Sequence, residues 1–433
     1  MRNSVIAGAG AAYALNNVEG LQAAALTGRT VAVEGAPERS AAGHSDRGET
    51  LKPGAAASGG LVYQRKLPGT VLKSHLVVGG ATLLDDNPSA LFLGSQGEGA
   101  ILLDFGEELV ARIRVRGEAV QGGEIKLFYG ESVEEAERQK DIGPNWYRIP
   151  RDYFELKPGS FDLRSIGRRG FRYLCIRVFG GDATVTGLDV TRENAQLRHI
   201  GHFSCSDSRL NEIWDMCART VGLCMQNFYE DGVKRDGLLW LGDFRLEFLT
   251  GWHAFGDAVL SRKSFLMMVK SQAENGAIPS CASRGGGHQH PESIEYMPGV
   301  PHKGVAAWIL LNYDCDFVGS LLEYILFTGD TGILEEIYQP LQKVLDFLWS
   351  LVDFEKPGEF WTDTAPNNLH RGKPGELYYD TLTDGRPGNK VPEDISRGGF
   401  LWHLARCFLE AEQIALWRAD QPCAEQMRNR YRR

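Results

Sequence analysis

The hydrophobic pattern of this chain changes period twice, and each change limits the folds open to it. After a break near residue 60, Ala100–Gly106, Leu109–Val115, Glu124–Tyr129 and Tyr173–Val178 read as strands separated by short turns. In such segments alternate side chains point to opposite faces. Several short strands with Gly-rich turns and little helix predict a β-sandwich over residues 61–195. From about residue 204 the period becomes helical. Ser206 or Asp207 can cap a helix on which Leu210, Ile213, Trp214, Cys217, Val221 and Cys224 share one face. Further helical stretches follow at 244–256, 258–273, 303–328, 331–352, 396–418 and 422–433, with no strand pattern among them. Helix after helix, joined by loops, predicts an α-hairpin toroid or an irregular bundle over residues 200–433.

The chain has 433 residues, enough for two to three domains. A net charge of −9 argues against a nucleic-acid backbone partner, which would need a basic surface, and none is expected. No apolar run approaches the ~20 residues that span a bilayer, so no membrane partner is expected. The eight cysteines are scattered, with no C-x-x-C pair, and read as reduced core residues. With only a weak Ala- and Gly-rich stretch in place of a leader between Val5 and Leu15, this points to the cytoplasm.

Residues 1–52 have a different character. Ser4–Ala7 reads as a strand, Gly8-Ala9-Gly10 as a turn, the Ala-rich stretch to Leu26 as a helix, and Thr30–Glu34 as a second strand ending on an acid. This is the order of a dinucleotide-binding βαβ opening. With Ala36-Pro37-Glu38-Arg39 after the acid, it resembles the amino end of flavin-dependent oxidoreductases of the fumarate-reductase type. Tyr13 stands at the place of the third glycine, and the resemblance stops near residue 50. The segment is therefore read as a non-functional remnant, with no cofactor expected. Residues 53–60 are a linker by composition.

The chemistry concentrates in Asp231-Gly232-Val233-Lys234-Arg235-Asp236-Gly237-Leu238-Leu239-Trp240-Leu241-Gly242-Asp243. Three acids, two cations, a tryptophan and three glycines stand here between apolar helical segments. Hydrolysis of a glycosidic bond uses two carboxyl groups in different environments. A glycine-broken loop can turn Asp231, Asp236 and Asp243 inward together, which a regular helix could not do at this spacing. Lys234 and Arg235 can orient carboxylates or hold sugar hydroxyls, and Trp240 offers a face for a sugar ring. The bland alternative is a charged turn in which Asp231 and Asp243 are caps.

The stretch resembles the loop D-C-P-x-R-E-R-L-G-W-x-G-D of the bacterial inverting α-L-rhamnosidases, glycoside hydrolase family 78, without gaps. Asp231, Arg235, Trp240, Gly242 and Asp243 match it, as does Leu238 or its neighbour. The flanks agree: Phe203–Asp207, Thr328-Gly329-Asp330 and Arg168–Tyr173 resemble segments around that family's helical domain. The resemblance implies Asp236 as the general acid, in place of Glu. It implies Asp231 and Asp243 as holders of sugar hydroxyls, with Arg235 and Trp240 beside them. It also implies a rhamnose-containing glycoside or polysaccharide as partner. Gly232-Val233 replaces Cys-Pro, and Gly237 replaces Arg. The family's domain is an (α/α)6 barrel of twelve helices whose general base is a Glu in the second half. Six or seven helices are expected here, and the place of that base falls beyond Arg433. The expectation is an incomplete toroid, holding the acid and part of the pocket, with self-association through exposed apolar helix faces. An inactive relative that at most binds sugar is the alternative.

Glu292, Glu295, Asp363 and Asp384 are available by residue type as a base but lack a matching context. Glu247, four residues after Asp243, reads as a solvated or capping acid. His288, His290 and Glu292 sit on a Gly-rich stretch and read as an exposed polar turn, with no metal expected.

Overall fold

The strand β5, Glu98–Ala119, is 22 residues long and organises the amino-terminal half. The computed structural model describes residues 61–138, 151–234, 237–273, 275–282, 311–351 and 393–433, and of residues 393–400 only the backbone. The βαβ-like stretch, the linker, Arg235, Asp236, Glu292, Glu295, Asp363, Asp384, His288 and His290 lie outside the described residues.

The strands around β5 are β1 (Leu61–Lys66), β2 (Thr70–His75), β3 (Val77–Val78), β4 (Ala90–Leu93), β6 (Gly123–Gly130), β7 (Arg151–Leu156), β8 (Gly159–Arg164), β9 (Arg169–Phe179) and β10 (Asp182–Ala195). They form one antiparallel hydrogen-bonded sheet of ten strands, with a path β3-β4-β10-β5-β9-β6-β7. The first part of β5 pairs with β2 and β9, and its last part with β10 and β8. The exchange of neighbours follows a register shift between Asp104 and Leu109, where Gly106 takes a left-handed φ of 76°. Alternating residues such as Leu103, Leu109, Ala111, Ile113 and Val115 are buried in one apolar core with Ile125, Leu127, Ile176 and Val178. A short helix, α1 (Val133–Glu137), follows β6 and starts on Ser132, whose hydroxyl accepts from the Glu135 N–H.

The carboxy-terminal half is helical: α2 (Ser208–Cys224), α3 (Leu241–Phe255), α4 (Val259–Lys270), α5 (Leu311–Thr328), α6 (Leu334–Ser350), α7 (Glu393–Trp417) and α8 (Gln421–Arg432). Their apolar faces meet in a second core, with Phe244, Phe248, Phe265, Phe317 and Tyr324 in mutual ring contact. Asp207 caps α2, its carboxylate accepting from the Arg209 N–H at 3.0 Å. One expectation needs correction: a short strand pair, β11 (Leu239–Trp240) with β12 (Cys281–Ala282), stands among the helices. Two residues are too few for a period to register. The apolar face of α2 is only half covered: Val221 is buried, whereas Leu210 and Ile213 are each 48% exposed.

All eight cysteines are free, and Cys175, Cys281, Cys315, Cys407 and Cys423 are buried. Among the described residues no helix is long and apolar enough to cross a membrane.

Candidate functional site

The loop that carries the candidate residues is closed at its stem. Asp231 and Leu238 form an isolated antiparallel bridge, in which the Asp231 N–H donates to the Leu238 carbonyl at 2.9 Å. The Gly237 N–H reaches back to the Gly232 carbonyl at 3.3 Å. Both glycines have left-handed backbones, with φ of 63° at Gly232 and 58° at Gly237, which explains their residue type on either side of the turn. Beyond the stem, β11 pairs with β12, and the Leu241 N–H donates to the Ser280 carbonyl at 2.8 Å. The chain then enters α3 directly, with Asp243 in its first turn, where a carboxylate complements the free N–H groups. Gly242 lies against the Tyr313 ring; a Cβ there would stand 2.3 Å from a ring carbon.

Below the loop the β-strands provide the floor. Arg168 and Glu230 form an ion pair, both side chains out of solvent. Arg169 pairs with buried Asp152 at 2.6 Å, and Asp152 also accepts from the Tyr129 hydroxyl at 2.7 Å. Gly170 lets the strand backbone approach the loop, since a Cβ would lie 3.1 Å from the Lys234 nitrogen. The sequence segment Arg168-Arg169-Gly170 is therefore a docking surface for the loop stem.

Lys234 meets carboxylates of the β region. It is buried and its ammonium donates to Glu131 at 2.7 Å and to Glu135 at 3.1 Å, both at the start of α1. It anchors the loop to the β region. Glu108 joins this group, its carboxyl pushed up to about 7 by burial and then by the charge of Glu131.

Asp231 and Asp243 both act by their charge on one further carboxyl. Their common neighbour is Glu247, which stands one turn after Asp243 on α3. Burial, followed by the charges of Asp231 and Asp243, raises the Glu247 carboxyl to about 8. Its Oε2 is out of solvent with no hydrogen-bond partner among the described residues. The Cys224 thiol hydrogen-bonds to the carboxyl and is itself pushed up by burial and by Glu247. The reading of Glu247 as a solvated or capping acid is thus corrected. The available signal was its spacing of four from Asp243, which puts both on one helical face. Trp240 is half-buried and packs against the helical core. Arg235 and Asp236, at the turn of the loop, are outside the described residues. Among the described residues no group of three or more His, Cys, Asp or Glu side chains is placed to hold a metal ion.

A loop presenting Asp231 and Asp243 near a carboxyl raised to about 8 and a half-buried indole can hold a polyhydroxylated ligand and move a proton. Comparison with known proteins agrees with that chemistry. Residues 198–359 match the family model of the bacterial α-L-rhamnosidase six-hairpin glycosidase domain. An α-L-rhamnosidase of Formosa agariphila is 22% identical over 275 residues, 61% of this chain and 27% of the relative. The chain thus spans about a quarter of that relative's length. The fold is similar to that of a Klebsiella oxytoca rhamnosidase with rhamnose bound (TM-score 0.63, 20% identity, 86% of this chain and 69% of that one). It is also similar to a family 78 rhamnosidase of Bacillus sp. GL1 (TM-score 0.62, 19% identity, 82% of this chain and 33% of that one). The similarity to the bacterial α-L-rhamnosidase six-hairpin glycosidase domain thus lies in residues 198–359, the stretch that carries the loop and the first helices after it.

Proposed function

We propose that the chain removes terminal α-L-rhamnose from glycosides or polysaccharides with inversion. Asp236 protonates the leaving oxygen, and Asp231 and Asp243 hold the ring hydroxyls. Arg235 and Trp240 complete that side of the pocket. A water attacks from the opposite face, activated by a carboxylate ~6.5–9.5 Å from the acid, the separation that inversion requires. The observation that supports this reading best is the convergence of Asp231 and Asp243, twelve positions apart, on one buried carboxyl. On this reading residues 61–195 form a β-sandwich that supports the loop, and the helices after residue 200 belong to an α-hairpin toroid.

A second reading is a relative that binds rhamnose without cleaving it. The behaviour of Glu247 favours it, because a carboxyl raised to about 8 is protonated at neutral pH and is no base there. Incubation of the purified chain with an aryl α-L-rhamnoside separates the two. The proposal predicts release of rhamnose, reduced about 10²–10⁴-fold by Asp236→Asn, the range for loss of a general acid. Release undiminished in that variant removes Asp236 from its role, and saturable binding without release selects the second reading.

A further inference from the structure

A sugar hydroxyl carries one proton to donate and two lone pairs to accept with. Ionised Asp231 and Asp243 can take the protons of ring hydroxyls but can offer none in return. A ring held by carboxylates alone would therefore keep hydroxyl oxygens without a donor, a costly state in a closed pocket. Glu247 has the complementary property. It lies on the same face of α3 as Asp243, it is close enough to both aspartates to feel their charge, and its buried Oε2 has no partner among the described residues.

The groups around Glu247 account for its other contacts. From α2, the Cys224 thiol hydrogen-bonds to its carboxyl. From the segment before the loop come Glu230, which is paired with Arg168, and Tyr229, whose hydroxyl donates to Asp257 at 3.2 Å. From the loop and from its own helix come Asp231 and Asp243. The acids among these disfavour a further negative charge, so the protonated form persists into neutral solution. That form is a hydrogen-bond donor.

We propose that Glu247 is a further sugar-binding residue of this site, donating a hydrogen bond to the oxygen of a ring hydroxyl whose proton goes to Asp231 or Asp243. The assignment rests on the rhamnoside reading above. It makes sugar affinity depend on a proton that the two aspartates do not carry.

The test is binding of L-rhamnose to the whole chain between pH 6 and 9, by calorimetry, for the wild type, Glu247→Gln and Glu247→Leu. Wild-type affinity is expected to fall about fivefold from pH 8 to pH 9, as the protonated fraction of a carboxyl titrating at about 8 falls. The amide of Glu247→Gln keeps an N–H donor at every pH, and its change over the same interval is expected to stay within about twofold. Glu247→Leu is expected to bind at least about tenfold more weakly at pH 6, for want of the donor. A Glu247→Gln protein that keeps the wild-type slope, or a Glu247→Leu protein that binds like the wild type, overturns the proposal.

Melting temperature without sugar supplies an independent readout. The folded-state value lies above the ordinary 4.5. Stability from the retained proton is therefore fully present below about pH 4.5 and lost as pH rises through about 8. Glu247→Gln should lack that decline. Rhamnose binding with parallel melting curves overturns the role of Glu247 alone. A wild type that shows the decline but binds no rhamnose overturns the rhamnoside reading, and the sugar role with it.

Discussion

Lys234 stands among Glu108, Glu131 and Glu135, and its single positive charge serves all three. Glu108 hydrogen-bonds to Glu131, and both its burial and that neighbour's charge favour its protonated form. Because Glu108 is raised from 4.5 to about 7, the unfolded chain releases its proton first. The stability this proton contributes is present below about pH 4.5 and is lost as pH rises through about 7. Glu108→Gln is accordingly expected to flatten the fall in melting temperature over that interval, as followed by circular dichroism. A variant whose melting temperature falls in parallel with the wild type would show that Glu108 is ionised throughout. The sequence displayed the charge of Lys234 but not its direction. The three acids it meets lie about a hundred positions earlier, and nothing in the local pattern links them to it. Glu247 was in view for the opposite reason. Its distance from Asp243 is a helical repeat, but whether that face looks to solvent or inward is set by what packs on it.

The loop itself behaves as an element. Its stem is closed by backbone bonds between Asp231 and Leu238, its turns use Gly232 and Gly237, and its lower side is fixed by the ion pair of Glu230 with Arg168. Both members of that pair are out of solvent, so removing one leaves the other as a buried uncompensated charge. Arg168→Met is expected to cost about 3–5 kcal/mol, read from urea denaturation. The double variant Arg168→Met, Glu230→Met is expected to recover most of the loss. A single variant within about 0.5 kcal/mol of the wild type, the scale of an ordinary surface substitution, would mean that the stem does not depend on this pair. Period two located the strands around β5 and β9, and helical period located α2 to α8 to within a few residues wherever both ends are described, because those elements are long enough to repeat. The pair β11 and β12 was hidden because two residues make no period. The exposure at the start of α2 was not legible, because a shared apolar face says which residues line up, not whether anything covers them.

In the molecule as a whole, two apolar cores meet along the segment that leads into the loop. The Ala195 N–H donates to the Met225 carbonyl at 2.9 Å, and the Asn194 amide to the Gly222 carbonyl at 2.8 Å. The Gln226 amide donates to the Glu193 carbonyl at 3.1 Å. With Arg168 and Lys234, these bonds hold the stem between the strands and the helices, so the site depends on both halves. The family likeness was readable from the loop because its acids, tryptophan and glycines fall at fixed spacing. The supporting contacts were not readable, since they join residues far apart in the chain. The central claim is that this loop is a rhamnose site, and equilibrium binding of L-rhamnose tests it without requiring turnover. The account predicts saturable binding by the wild type, weakened at least about tenfold by Asp231→Asn or by Asp243→Asn, as expected for loss of a charged hydrogen-bond acceptor. Wild-type protein with no saturable binding, or both variants binding as tightly as the wild type, would contradict it.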